Sequence, residues 1–440
     1  MPPSLQSWLP EDHLAYFILD LVDTLDLSPI LSHYERELRG YPPHHPKMMV
    51  ALLLYGYCVG VPSSRKIERR THEDVAFRVI SANQHPDHVR ISEFRRIHLD
   101  ALAGLFIQVL RLCQSAGLVK LGVVALDGTK IKANASKHKA MSYDRMKKDE
   151  EKLRTKVAEL LQAAEAVDAE EDARYGKDRR GDELPEDLRR AESRLARILA
   201  LKAELEAEAR VAREREDAAK DSDDEDPPGA GASAPLPEHQ VPTHKDGTPT
   251  DKAQRNFTDA DSRIMKGADG YVQGYNCQAV VDADHQVIVA EAVTNQPPDA
   301  EHWQPMLERA IANCGQTPEA ALADNGYCSE QNIVYGLNQG IDPYLATGRD
   351  KHGESQPTVR GRPPKDMTLR AEMRRKLATK CGKKRYGRRK VIVEPVFGQI
   401  KDARGFWRFL LRGLAKVRGE WSLITATHNL LKLYRAQLPA

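Results

Sequence analysis

Of the 64 acidic side chains in this 440-residue sequence, two are set apart by their surroundings. Asp127 follows the apolar run Leu121-Gly122-Val123-Val124-Ala125-Leu126 and precedes Gly128; Asp324 follows Ala320-Ala321-Leu322-Ala323, with Gly326 two places on. Short apolar runs of this kind read as buried strands, and a glycine just past the end lets a ligand come close to the carboxylate. Glu394 is a third candidate. It follows Val391-Ile392-Val393, Pro395 suits a first helical position, and Phe397, Ile400 and Lys401 continue the helix. Seven residues on, Lys401 falls on nearly the same face as Glu394, because seven steps come within about 20° of two full turns. Carboxylates displayed in this way suit hard divalent cations. Two Mg²⁺ ions roughly 4 Å apart can neutralise the attacking and leaving oxygens of a phosphodiester, and an ammonium on the same ridge suits phosphate. Taken singly, each acid reads equally well as a turn residue or a helix cap.

These residues need elements to position them. Residues 121–133 read as strand, turn and strand, with Asp127 at the hinge. Residues 275–281 and 287–290 read as a hairpin, with Asp282 and Asp284 as its turn residues. A helix over 300–313, a strand at 320–323, a helix over 329–339 and a strand at 343–346 follow. Strands alternating with helices after an antiparallel run predict a mixed α/β fold, a mixed sheet flanked by helices. Upstream, the spacing of Leu14, Phe17, Ile18, Leu21, Val22 and Leu25 predicts a helix over 10–27, and the run 48–61 a buried one. Three shorter helices follow, with starts marked by Ser63, by Thr71 with Asp74, and by Ser92. They carry Arg65, Lys66, Arg69, Arg70, Arg90, Arg95 and Arg96; a helix-turn-helix would turn such charges to phosphate, whereas a solvated face would leave them idle.

The net charge is only +2, so a nucleic-acid surface must come from clustering. Residues 349–390 supply one, with 16 Lys or Arg against four acids, a net of +12. Within them Arg360-Gly361-Arg362-Pro363 has the form of a minor-groove A·T hook, two arginines flanking a thin glycine. Residues 143–220, rich in Ala, Glu, Lys, Arg and Leu, read as a charged helical hairpin, and 221–252 as a disordered linker. The domains expected are 1–118 (helical, helix-turn-helix-like), 119–142 (first part of a catalytic core), the 143–220 arm, the 221–252 linker, and 253–440 (the rest of the core with its basic segment). Six scattered cysteines without a C-x-x-C pair argue against a zinc ribbon and a disulfide framework, and point to a reducing cytosol. His44 and His45 lack zinc spacing. No phosphate-binding G-x-x-x-x-G-K-[ST] loop is present, and neither a signal-peptide pattern nor a membrane-length apolar run.

In combination these features resemble the DDE transposases of bacterial insertion sequences. The matching residues are Leu126-Asp127-Gly128-Thr129, Ala323-Asp324-Asn325-Gly326-Tyr327, and Tyr386, Arg389, Glu394 and Lys401 for the Tyr-Arg-Glu-Lys signature. The run 394–401, His428-Asn429-Leu430-Leu431 and the segment 256–263 are similar as well; the acids of that last segment read as structural or DNA-positioning. Four residues separate Arg389 from Glu394 where the signature has three, so Arg389 and Lys390 both remain open to the arginine role.

The resemblance implies a ribonuclease-H-like core, with an N-terminal helical domain and the arm inserted. It implies that Asp127, Asp324 and Glu394 are the catalytic acids and hold two Mg²⁺ ions, with Mn²⁺ as a substitute. Lys401, Arg389 and Tyr386 would hold the phosphate backbone, and Thr129 would support the first acid. From their charge, Arg360, Arg362, Arg95 and Arg96 join them as expected DNA contacts. The partners implied are double-stranded DNA, as terminal inverted repeats and as target, and a second copy of the chain paired on DNA; a membrane and a nucleotide cofactor are not expected. The location implied is the bacterial cytoplasm, at the nucleoid. Two other functions share these residues: a metal-dependent nuclease without strand transfer, and a domesticated DNA-binding protein that no longer cuts.

Overall fold

The computed structural model describes residues 4–35, 44–175, 186–221, 236–267, 270–348, 357–362, 364 and 366–438. In chain order its elements are α1 (Leu14–Thr24), α2 (Ser28–Glu35), α3 (Pro46–Cys58), α4 (Ser64–Glu73), α5 (Val75–Ile80), α6 (His88–Ile97) and α7 (Leu99–Ser115), then β1 (Val123–Lys132) and β2 (Ala140–Ser142). Helices α8 (Tyr143–Tyr175) and α9 (Glu186–Asp221) follow, and strands β3 (Gln254–Asn256), β4 (Arg263–Gly267), β5 (Gly270–Asp282) and β6 (Ile288–Thr294). The chain continues through α10 (Trp303–Cys314), β7 (Ala320–Ala323), α11 (Glu330–Asn338) and β8 (Asp342–Leu345) to α12 (Leu369–Ala378), α13 (Lys380–Gly398) and α14 (Leu414–Gln437). They form two compact units. The first holds the described residues up to Ala133, residues 236–237 and those from Tyr275 on; the second holds those from Asn134 to Asp221 and from 238 to Gly274.

In the first unit α1 buries Ala15, Ile18, Leu21 and Val22, the face its spacing predicts, and α3 is buried nearly all round. The starts of the next helices differ from expectation. Ser63 stands at the start of α4, but Thr71 lies inside α4 and Ser92 inside α6; the caps are Asp74, which accepts the N–H groups of Ala76 and Phe77, and Asp87, which accepts those of Val89 and Arg90. A carboxylate takes two orphan donors and the positive helix end together, which a hydroxyl does less well. Strand β1 lies between β5 and β7, with β8 beyond β7 and β6 on the other edge of β5. The pairs β1–β7 and β7–β8 are parallel and β5–β6 is antiparallel, so the sheet is mixed, as predicted. Helix α14 lies against α7, α3 and β6. Its Asn429 side chain accepts the Ile288 N–H and donates to the Ile288 carbonyl, both at 2.8 Å.

Three expectations are corrected. Strand β1 runs unbroken through Asp127-Gly128, without a hinge. Pro395 does not open a helix, because α13 already begins at Lys380 and carries Pro395 in its interior. Of the expected linker, residues 222–235 lie outside the described ones, but Leu236 and Val241 are buried and Thr243 bridges Pro249.

The second unit has a core of its own. Helices α8 and α9 pack on each other as the hairpin predicts, and Met141, Tyr143, Met146, Ile198, Leu201, Leu205, Ala209, Val241 and Ala253 close over their roots beside the β2–β3 pair. Asp259 is buried there. Among the described residues no single helix is long and apolar enough to cross a membrane.

Candidate active site

Parallel pairing sets Val123 beside Ala320, Val124 beside Ala321 and Ala125 beside Leu322. Carried two residues further, the same register brings Asp127 next to Asp324, on the face shared with Ala125 and Leu322. Strand β7 ends at Ala323, and the Asp324 carboxylate accepts the Gly326 N–H at 2.8 Å as the chain turns away. Asp127 Oδ1 accepts the Gly128 N–H at 2.8 Å, and its Oδ2 accepts Arg389 Nη1 at 2.8 Å. This ion pair is largely buried, with the two side chains 11% and 19% exposed. Burial pushes the Asp127 carboxyl up to about 6; the guanidinium works against that, and the charge of Asp324 works with it. Tyr386, one turn earlier on α13, neighbours Arg389, and burial raises its phenol while the guanidinium pulls it back. Lys390 is exposed. Arg389 is therefore the cation on the acid pair, despite its longer spacing from Glu394.

Lys401 and Glu394 do not share a ridge. A π turn over Gln399–Ala403 follows α13, and the wider turn shifts the helix phase. Lys401 Nζ donates to the Lys130 carbonyl at 3.0 Å and lies 5.3 Å from the centre of the Trp407 ring. Burial lowers its pKa. Glu394 is exposed, roughly 140° around the helix from Arg389. Among the described residues no three or more His, Cys, Asp or Glu side chains converge to hold a metal ion. The two aspartates fit a divalent cation as part of a donor set: they are hard oxygen ligands, and their shared charge already draws a positive partner. The third ligand is not gathered in this arrangement.

A buried polar network stands beside the pair, and of its members only Tyr327, in the motif around Asp324, was singled out from the sequence. Asp299 Oδ1 accepts Asn276 Nδ2 at 2.7 Å, Gln278 Nε2 at 2.9 Å and Lys130 Nζ at 3.2 Å. The Tyr327 hydroxyl donates to Gln278 Oε1. A signal was present: Asn276 and Gln278 are polar at alternate positions of the otherwise apolar run 275–281, so one face of β5 had to meet polar partners. For Asp299, in the loop after Gln296-Pro297-Pro298, no periodicity marks the position.

The expected DNA-facing arginines divide. Arg360 and Arg362 are exposed, and Arg375 Nη2 holds the backbone between them, donating to the carbonyls of Arg360, Gly361 and Arg362 at 3.2, 2.9 and 3.3 Å. Arg96 is exposed as well. Arg95 is not: it is 5% exposed, and donates to the Pro62 carbonyl at 2.8 Å and the Tyr57 hydroxyl at 3.2 Å. It lies on the inward face of α6 with Ile91 and Phe94, and ties down the loop before α4.

Residues 238–430 match the family model described as Transposase DDE domain, and residues 3–96 the one described as Transposase domain. No match was found among curated proteins, and none among solved structures. The mixed sheet with flanking helices and the helical N-terminal region are consistent with a ribonuclease-H-like DDE domain. With both transposase models matching and two acids side by side on adjacent parallel strands, the chain belongs to the DDE transposases of insertion sequences.

Proposed function

We propose that this transposase binds the ends of its insertion sequence, cuts DNA there and joins the freed 3′ hydroxyl to target DNA, at the site built on Asp127 and Asp324. The observation that carries this is the meeting of these two acids, remote in sequence, on neighbouring parallel strands, Asp127 within β1 and Asp324 just past the end of β7, with Arg389 on one of them. Divalent cations, on which DDE domains generally depend, supply an activated water and neutralise charge on the attacking and leaving oxygens. Asp127 and Asp324 would hold them, with Glu394 as third ligand once α13 turns. Arg389, released from Asp127 when its charge is replaced, then holds the DNA phosphate, with the Tyr386 hydroxyl donating beside it. Lys401 lies along β1 beyond the acids and holds the backbone of the same strand. Thr129 supports the first acid from within β1. Arg360, Arg362 and Arg96 bind DNA away from the chemistry; Arg95 takes no part. The α8–α9 arm is proposed to pair two copies on DNA, and shortening it removes paired-end complexes.

The test is incubation with Mg²⁺ and DNA carrying the terminal inverted repeats, comparing wild type with Asp127→Ala. Cut and joined products from the wild type alone are expected. Cutting that persists in Asp127→Ala sinks the assignment. Cut ends that are never joined identify a nuclease, and end binding without cutting a domesticated DNA-binding protein.

A further inference from the structure

We propose that Asp299 is a positioning residue that sets the spacing of Asp127 and Asp324; this rests on reading that pair as the cation-binding acids. Three donors converge on its Oδ1, from Asn276, Gln278 and Lys130. Asn276 and Gln278 are fully buried, so without this acceptor their N–H groups lose a partner that water cannot replace. The network is therefore held as one piece, and it lies against Gly128, next after Asp127, and Gly326, two residues after Asp324.

A Cβ built on Gly128 would lie 2.5 Å from Gln278 Nε2 and 3.1 Å from Asp299 Oδ1. One built on Gly326 would lie 3.0 Å from Asp324 Oδ1 and 3.6 Å from Asp299 Oδ2. The chain beside each acid thus lies against the same group: at Gly128 the network leaves no room for a Cβ, and at Gly326 Asp299 is in ordinary van der Waals contact. The ends are tied as well. Lys130, three residues after Asp127, donates to Asp299 and to the Pro297 carbonyl at 3.1 Å, while Tyr327, three residues after Asp324, is bound through Gln278. Displacing Asp299 shifts β1 beyond its acid and the turn beyond β7 together. Cation affinity depends on outer groups that hold ligand carboxylates in place.

Calorimetric titration of the full chain with Mn²⁺, without DNA, tests this. Asp299→Ala is expected to weaken binding tenfold or more, and Asp299→Asn to recover most of it, since an amide oxygen still accepts from Asn276 and Gln278. Equal losses in both variants would make Asp299 a direct ligand and overturn the proposal, as would unchanged affinity in both. Amide hydrogen exchange gives a readout that needs no cation. In Asp299→Ala, residues 126–130 and 324–328 are expected to exchange faster together; acceleration confined to the loop around 296–302 overturns the coupling. Unaltered Mn²⁺ affinity in Asp127→Asn would instead sink the cation reading of the pair, and leave the exchange result to decide the coupling.

Discussion

A carboxylate bonded to a guanidinium ordinarily titrates low, yet the Asp127 carboxyl is pushed up to about 6, because burial outweighs Arg389 and Asp324 adds to it. The folded chain then holds this proton more tightly than the unfolded chain, whose aspartates titrate near about 3.9. The stability so gained is fully present below about pH 4 and is lost as pH rises through about 6. In chelator, the wild-type Tm is expected to fall more steeply from pH 4 to 6 than that of Asp127→Asn, which cannot ionise. Parallel curves would refute burial as the cause. Arg389 competes with a cation for the same oxygen. At pH 8, above this titration, Arg389→Ala is expected to bind Mn²⁺ about tenfold more tightly without DNA, the scale of one charge-assisted bond, and to bind end DNA more weakly. Tighter DNA binding would contradict the hand-over of Arg389 to phosphate. Asp127 and Asp324 were legible in the sequence because each follows an apolar run too short to be anything but a buried strand. Asp299 was not, because its meaning lies in partners on β5 and β1 that only the sheet brings to it.

Helix α13 was the element least legible. Its inward positions Gly382, Tyr386 and Arg389 carry no apolar period, and the Lys and Arg between them mask the helix, so Pro395 looked like a start. In the interior a proline leaves the carbonyl four residues back without its helical donor. That carbonyl, on Val391, accepts Gln286 Nε2 at 2.9 Å instead, which is how the helix continues past the proline. The π turn over Gln399–Ala403 comes next, so two weak points in the helical ladder lie close to Glu394. Among the described residues the Glu394 side chain has no hydrogen-bond or ion-pair partner, and Glu394→Gln is expected to leave Tm unchanged while abolishing Mg²⁺-dependent cleavage. Pro395→Ala restores a backbone donor, removes a helix penalty of up to about 3 kcal/mol and stiffens α13. A higher Tm with slower cleavage is the outcome expected. Cleavage at the wild-type rate would mean that α13 is not the moving part. By contrast, β5, β6, β7 and α11 were legible because apolar period and turn residues agree there, as at Ser329, whose hydroxyl accepts the Asn332 N–H.

At the scale of the whole chain, composition alone made residues 143–220 look like a solvated arm, and the charged residues of α8 and α9 explain why. On α9 the buried Ile198, Leu201, Leu205 and Ala209 do recur at helical spacing, but the partners of that stripe, Met141, Val241 and Ala253, come from segments read as core or linker. The second unit is thus a folded body whose cohesion comes from these apolar side chains, and the surface ion pairs along the arm add little. Leu201 is fully buried within it. Leu201→Ala removes a core side chain and leaves a cavity, at a cost of about 2–5 kcal/mol. Because cleavage by a protease at low enzyme levels follows the population of the open form, native-state proteolysis within α8 and α9 should accelerate by well over tenfold. The Asp127–Asp324 site draws its register from β1 and β7, none of whose residues belong to that core. Its Mn²⁺ affinity should therefore be unchanged in the same variant. Loss of Mn²⁺ binding alongside the faster proteolysis would show that the acid pair depends on the arm's core, and that the two units cannot be treated separately.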